Sequence, residues 1–506
     1  QRLPLSSVGD ATAPPARTER GVAVLTFTNL RGEPADEWIG SGIAETVTAD
    51  LKNVKGISVI GRAQVFDAAR SLAGAPQTGS GEPLPLEIGR RTGATWIVAG
   101  AFQRLGEMVR ITAEFLDVAT GTVLRTVKVD GRLDGIFDLQ DRIVFELSQG
   151  LNVALDDTAA RRIERDETRS VEAYEAYSRG MINLRMGSRD SLDRAVALFE
   201  RAVERDPAYA AAWVGLGSAL DLKGEFLSLP ELSQRAIEAL QRAVTIDPGM
   251  AIAHARLGSA YLNLRRYEDA LSEVGEAVRL DPALPGARSM LGRIHWFGLG
   301  QFEEGIRELE VAASLNVEAG YAFLQLSLLY SLTRDYRKAE IAARRAIDLQ
   351  ERYVSGEEGL QIVGAHLRLG YALYRQGRYD EAIHEYEREL SFVSSGEHAL
   401  RDRTLIEAHQ KLSAAHWRKG DREAADREFD RARLRFVARL ASGADDGATK
   451  YYMAAMHALR EDVEHARRYL SEAIQQLPGL NRARARVDPD FDPVRGDPEF
   501  TALLGG

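Results

Sequence analysis

The stretch AIAHARLGSAYLNLRRYEDALSEVGEAVRLDPAL, Ala251 to Leu284, decides how most of this chain folds. Leu257, Gly258 and Tyr261 recur at helical spacing in its first half, and Tyr267, Ala270 and Ala277 in its second. Asp281-Pro282 then closes the unit, because proline has no amide to offer a helix interior. The spacing predicts a pair of helices. Gly-Leu-Gly-Ser-Ala-Leu at 215–220 and Arg-Leu-Gly-Tyr-Ala-Leu at 368–373 match Arg-Leu-Gly-Ser-Ala-Tyr at 256–261. Asp206-Pro207 and Asp247-Pro248 match Asp281-Pro282, so the pair repeats.

A period near 34 residues with these positions filled resembles the tetratricopeptide (TPR) family. Trp213, Leu216, Gly217, Ala236, Ala243 and Pro248 mark a second copy, with about seven residues inserted between its helices. Further copies are marked by Ala195, Phe199 and Ala202, by Leu326, Tyr330 and Ala339, by Leu369, Gly370 and Ala382, and by Met453, Ala466 and Ala473. About eight repeats are expected over 173–480, stacked as a superhelix in which each pair buries its apolar face against its neighbours. Residues 481–506, with Asp488-Pro489-Asp490-Phe491-Asp492-Pro493, are similar to the cap that ends such arrays.

Strand and helix signals alternate upstream. Gly21–Phe27 is an apolar, β-branched run, and Asp36–Leu51 carries Ile39, Ile43, Val47 and Leu51 at helical spacing. The segments from Thr95 to Asp130 predict an antiparallel meander, and Ile136–Leu151 a closing helix. Between the first strand and helix lies Thr26-Phe27-Thr28-Asn29-Leu30-Arg31-Gly32, a loop that could cradle a phosphate. A P-loop needs a lysine and a hydroxyl after its glycines. Here Glu33, Asp36 and Glu37 follow instead, and Gly40-Ser41-Gly42 supplies only half of a dinucleotide motif. Nucleotide binding is therefore not expected.

Phe27, Asn29, Leu30, Gly32, Trp38, Gly42, Ile43 and Glu45 resemble the N-terminal domain of TolB-like proteins, related to FlgO and CsgG-type outer-membrane assembly proteins. The likeness continues through Ile57–Arg62, Ala94–Gly100, Val109–Leu116, 117–121 and Ile136–Asp141, and departs at Thr26 and Arg31. It spans 21–155 and implies a non-enzymatic domain. Joined to TPRs, it looks like the sensory or scaffold halves attached to bacterial receptor kinases and adenylate cyclases, although no kinase or cyclase motif is present. The expected fold class is thus an α/β N-terminal domain followed by an all-α TPR superhelical solenoid. Residues 1–20 are expected to form a flexible or partner-bound tail, and 156–172 a linker helix.

Composition narrows the function. The 506 residues carry a formal charge of −10, which disfavours nucleic-acid binding. Arg482, Arg484 and Arg486 form one short basic cluster, expected to be a solvated face. No run of apolar residues is long enough to span a membrane. Cysteine is absent, which excludes disulfides, thiolate metal sites and cysteine nucleophiles. The start at Gln1 and the lack of cysteine fit an exported bacterial protein, periplasmic or extracellular, with a cytoplasmic one as the alternative.

No catalytic, cofactor or metal site is expected. His254, His366 and His409 fall at the repeat position of Trp213, and His295, His416 and His457 at that of Tyr261, so all six read as packing residues. Partner capture would use the concave face built from the first helix of each pair. By register that face includes Arg293, Trp296, Tyr371, Tyr374, Arg375, Trp417 and Arg418, and arginine beside aromatics suits protein or peptide partners. The structural alternative is that neighbouring repeats cover several of them. Three functions follow, in order: an interaction scaffold, a self-assembling filament subunit joined head to tail, and a ligand sensor.

Overall fold

The computed structural model describes residues 21–52, 54, 56–73, 83–150, 168–227, 229–351, 362–394, 400–444 and 446–505. The expected tail 1–20 and most of the expected linker helix 156–172 lie outside the described residues.

The N-terminal region is a mixed sheet with helices along one face and over only part of the other. Strands β1 (Gly21–Val24), β2 (Thr28–Asn29), β3 (Ser58–Val59), β4 (Trp96–Leu105), β5 (Met108–Asp117) and β6 (Val123–Arg132) take the order β3-β1-β4-β5-β6, with β2 also pairing β4. β1 runs parallel to β3 and β4, whereas β4, β5 and β6 form the expected antiparallel meander. Side chains alternate across the sheet, as strand geometry requires. Val22 and Val24 pack with helices α1 (Glu37–Leu51) and α4 (Ile136–Gly150). Ala23 faces the other way, into a core with Val65 and Ile88 from α2 (Arg62–Ala73) and α3 (Leu84–Thr92). The first strand is shorter than its apolar run suggests, because the chain turns and the Phe27 amide donates to the Gly40 carbonyl.

Eight helix pairs follow among the described residues. They are α5 (Val171–Met186) with α6 (Arg189–Arg205), α7 (Ala210–Leu227) with α8 (Pro230–Ile246), α9 (Ala251–Asn263) with α10 (Tyr267–Leu280), and α11 (Pro285–Arg293) with α12 (Phe302–Leu315). Then come α13 (Gly320–Leu332) with α14 (Tyr336–Glu351), α15 (Ala365–Arg375) with α16 (Tyr379–Ser394), α17 (Arg401–Lys419) with α18 (Arg422–Ala441), and α19 (Gly447–Leu459) with α20 (Val463–Gln476).

Local chemistry explains the repeat. Asp206, Asp247 and Asp281 each end a second helix in an extended conformation, and each carboxylate accepts the amide two residues on. Proline then bars continuation. Glycine at the position of Gly258 lets the two helices of a pair touch, since a Cβ there would lie 2.3 Å from Val274 Cγ2. Most of the residues inserted in the second copy lengthen α7, which has 18 residues against 13 in α9. In the fourth pair α11 runs into a π-helical turn, Ile294–Gly298. Such wide turns mark places where a helix is locally re-aimed.

Among the described residues, the array is fastened to the α/β domain at two places. Helix α5 lies on α1, where the Tyr174 hydroxyl bonds Thr46 and accepts from Gln140 Nε2 at 2.7 Å. Gly42 permits the approach: a Cβ there would meet the Tyr174 hydroxyl at 2.6 Å. Farther along, the turn before α13 returns to the domain, with Asn316 donating to Asp67 at 3.1 Å and Glu318 bridging Arg91 and Arg345.

Candidate functional site

The concave face is occupied by the chain itself. After α20, helix α21 (Pro478–Val487), a 3-10 turn (Pro489–Val494) and α22 (Pro498–Leu503) fold back. Pro478 takes the first turn of α21, where proline's missing amide costs nothing. Gly479 then packs so closely on the π turn that a Cβ would lie 2.1 Å from the Gly298 carbonyl oxygen. Arg265 also reaches across from the turn after α9 to the Gln475 carbonyl at 3.0 Å. The segment both caps α19 and α20, through Phe491, Val494 and Phe500, and bonds the first helices of the sixth to eighth pairs at Tyr374, Gln410 and Tyr451.

Four of the seven residues expected on this face meet that segment. The Tyr374 hydroxyl donates to Asp490, and Arg418 donates to the Pro489 carbonyl at 2.5 Å. Tyr371 is fully buried and accepts from Arg375 at 3.0 Å, and Arg375 lines a cleft of about 350 Å³ beside Val487 and Pro489. Arg334, Arg486 and Arg495 also line that cleft, with Asp492 accepting from Arg495 at 2.8 Å. The other three lie apart. Arg293 forms a two-point ion pair with Glu225 at 2.6 and 3.1 Å. Trp296 sits on the π turn and donates to Gln325 at 2.8 Å. Trp417 is clasped between the guanidinium groups of Arg422 and Arg460, 3.5 and 4.7 Å from its ring.

Other participants were not legible in the repeat register. Lys411 is buried with its ammonium 4.3 Å above the Tyr371 ring, and burial lowers its pKa. Arg484 is not part of a solvated face, because its guanidinium is buried 4.3 Å over the Tyr451 ring. Its neighbours Arg482 and Arg486 donate to the Leu503 and Leu504 carbonyls. The one sequence signal was polarity in the wrong place: Glu407, Gln410 and Lys411 fall within the buried stretch 404–415 of α17.

The two carboxylates of the segment respond in opposite directions. Burial raises Asp488, but Lys411, Arg484 and Arg375 outweigh it and leave its carboxyl below the usual range. Burial and the neighbouring Asp488 push Asp490 up to about 6. The Tyr374 hydroxyl, buried beside Asp490, is raised well above its ordinary value. Such a site holds acidic side chains by enclosing cations and hydroxyl donors, with aromatic walls for Phe491, which lies 5.4 Å from Tyr451.

The histidines divide. His254, His366 and His409 each bond through Nδ1 to a glutamate 19 residues on, Glu273, Glu385 and Glu428, at 2.6–2.7 Å. The pair ties the two helices of one repeat together. In the last pair His457, Asp462 and His465 converge, a cluster that the absence of familiar metal motifs had concealed.

Models of the tetratricopeptide repeat match residues 180–227, 233–294 and 363–392, so the chain contains TPRs. It is 30% identical over 213 residues to "Putative adenylate cyclase 3" of Rhizobium meliloti (strain 1021), covering 41% of this chain and 34% of that protein. The chain thus spans about a third of that relative's length. Among solved structures it is similar to the APC/C hetero-tetramer Cut9-Hcn1, with 14% identity, coverage of 73% of this chain and 62% of that one, and a TM-score of 0.42. Pseudomonas aeruginosa pilF shares 21% identity over 45% of this chain and 90% of its own, with a TM-score of 0.34.

Proposed function

We propose that this protein is a non-enzymatic interaction scaffold whose concave TPR surface binds acidic, aromatic-containing protein segments. One observation carries the reading: the groove already holds such a segment, 488–491, on Tyr374, Arg418, Lys411 and Tyr451. A protein partner bearing the same chemistry would displace it. The α/β domain, which resembles TolB-like modules, serves as a second docking body braced against the array through Tyr174 and Glu318. The proposed setting is an extracytoplasmic bacterial compartment, supported by the cysteine-free composition.

The test compares capture by the wild-type chain with capture by a chain carrying Asp490→Ala and Phe491→Ala, from separate envelope and cytosolic fractions. The proposal expects a defined partner enriched on the variant and drawn from the envelope fraction. Capture that is identical for both chains would overturn the groove as the binding surface. Enrichment from cytosol alone would overturn the compartment.

A further inference from the structure

We propose that His457, Asp462 and His465 form a binding site for a divalent late first-row metal ion, with Zn²⁺ the best match. The three residues bracket the turn of the last helix pair, between α19 and α20. One donor atom from each lies within 4.8 Å of the other two. His457 Nδ1 and His465 Nδ1 both approach the same Asp462 oxygen, each at 2.9 Å. Two imidazoles and one carboxylate are a ligand set that suits zinc and its neighbours and leaves a position open to water. Metal bonds near 2.0–2.1 Å at tetrahedral angles would place the donors about 3.3 Å apart. Each histidine nitrogen must then draw back from Asp462 by about 0.4 Å, and the two imidazoles, stacked at 4.9 Å with planes 18° apart, must turn to aim both Nδ1 atoms at one ion.

The surroundings hold the ligands in place. The His457 ring stands edge-on to Phe429 at 5.3 Å and stacks on Tyr469 at 5.7 Å. Asp462 caps α20, accepting the His465 amide at 3.3 Å. The His465 side chain is 44% exposed, which gives an ion and its water a path from solvent. Arg460 is paired with Asp426 at 2.9 Å and lies over the Trp417 and Phe429 rings, so its charge is partly met beside the cluster.

A hydrogen-bonded turn alone would account for two of the residues. The preceding pair shows that simpler version: His416 lies 3.5 Å from Asp421, and Ala424 stands where the last pair has His465. Among the described residues, only the final pair completes three ligands. A shift of each neutral imidazole to its Nε2–H tautomer frees Nδ1 for the ion.

The experiment is calorimetric titration of the untagged, chelator-stripped full chain with ZnCl₂, repeated with Co²⁺ to read a visible d–d band. The site predicts one saturable equivalent, weakened more than tenfold by His465→Ala and by Asp462→Asn and unchanged by His416→Ala. Asparagine keeps the helix cap, and circular dichroism confirms that each variant is folded. His457→Phe, which retains the ring packing, gives the same loss if His465→Ala is poorly folded. No saturable binding, or binding that survives both His465→Ala and His457→Phe, would overturn the site.

Discussion

Asp67 shows how a single carboxylate ties the array to the α/β domain at a cost. Burial pushes its pKa up to about 6, against the opposing Arg70 ion pair and the hydrogen bond from Asn316. Its folded value therefore exceeds the unfolded value of about 3.9. Stability from this group is fully present below pH ~4 and lost as the pH rises through about 6, so at pH 7 its charge is held unfavourably. The side chain is 26% exposed, which moderates the penalty. Asp67→Asn should raise stability at pH 7 by about 1–2 kcal/mol and flatten its dependence between about pH 4 and 6, measured by urea melts. Tyr374 works in the other direction. Removing its hydroxyl leaves the buried Asp490 carboxylate with the longer bond from Gln410 Nε2 at 3.5 Å, so Tyr374→Phe should cost about 1.5–3 kcal/mol in the same melts.

At the scale of elements, close approach decides the architecture. Gly42 in α1 admits the Tyr174 hydroxyl and Ser178 Oγ of α5, so Gly42→Ala must push the two helices apart. The expected cost is about 1–3 kcal/mol, with hydrogen exchange increased in both α1 and α5. A change confined to α1 would contradict the shared interface. These elements were largely legible beforehand. Leu257, Gly258, Ala270 and Asp281-Pro282 announce a helix pair because spacing and helix termination are local properties. The π turn at Ile294–Gly298 was not legible, because it depends on what Gly479 presses against far along the chain. The same holds for the metal-ligand cluster: His457 and His465 are packing or surface residues until a turn folds Asp462 between them.

For the molecule as a whole, register could place Tyr371, Tyr374, Arg375 and Arg418 on the concave face but could not reveal what lies against them. That needs the path of residues 478–505, which is set by long-range packing of Phe491 and Phe500 with Tyr451 and Tyr452. A chain whose groove is filled in cis binds an outside segment only in proportion to the fraction in which the cis segment has left. Binding of an outside segment is therefore a competition with the cis segment. The direct measurement is fluorescence anisotropy of a labelled peptide spanning residues 486–500, titrated with the wild-type chain and with the Asp490→Ala, Phe491→Ala chain. The variant should bind the peptide at least tenfold more tightly, and adding Tyr374→Phe and Arg418→Ala should abolish that gain. Equal affinity for the two chains, or a gain that survives the groove substitutions, would contradict it.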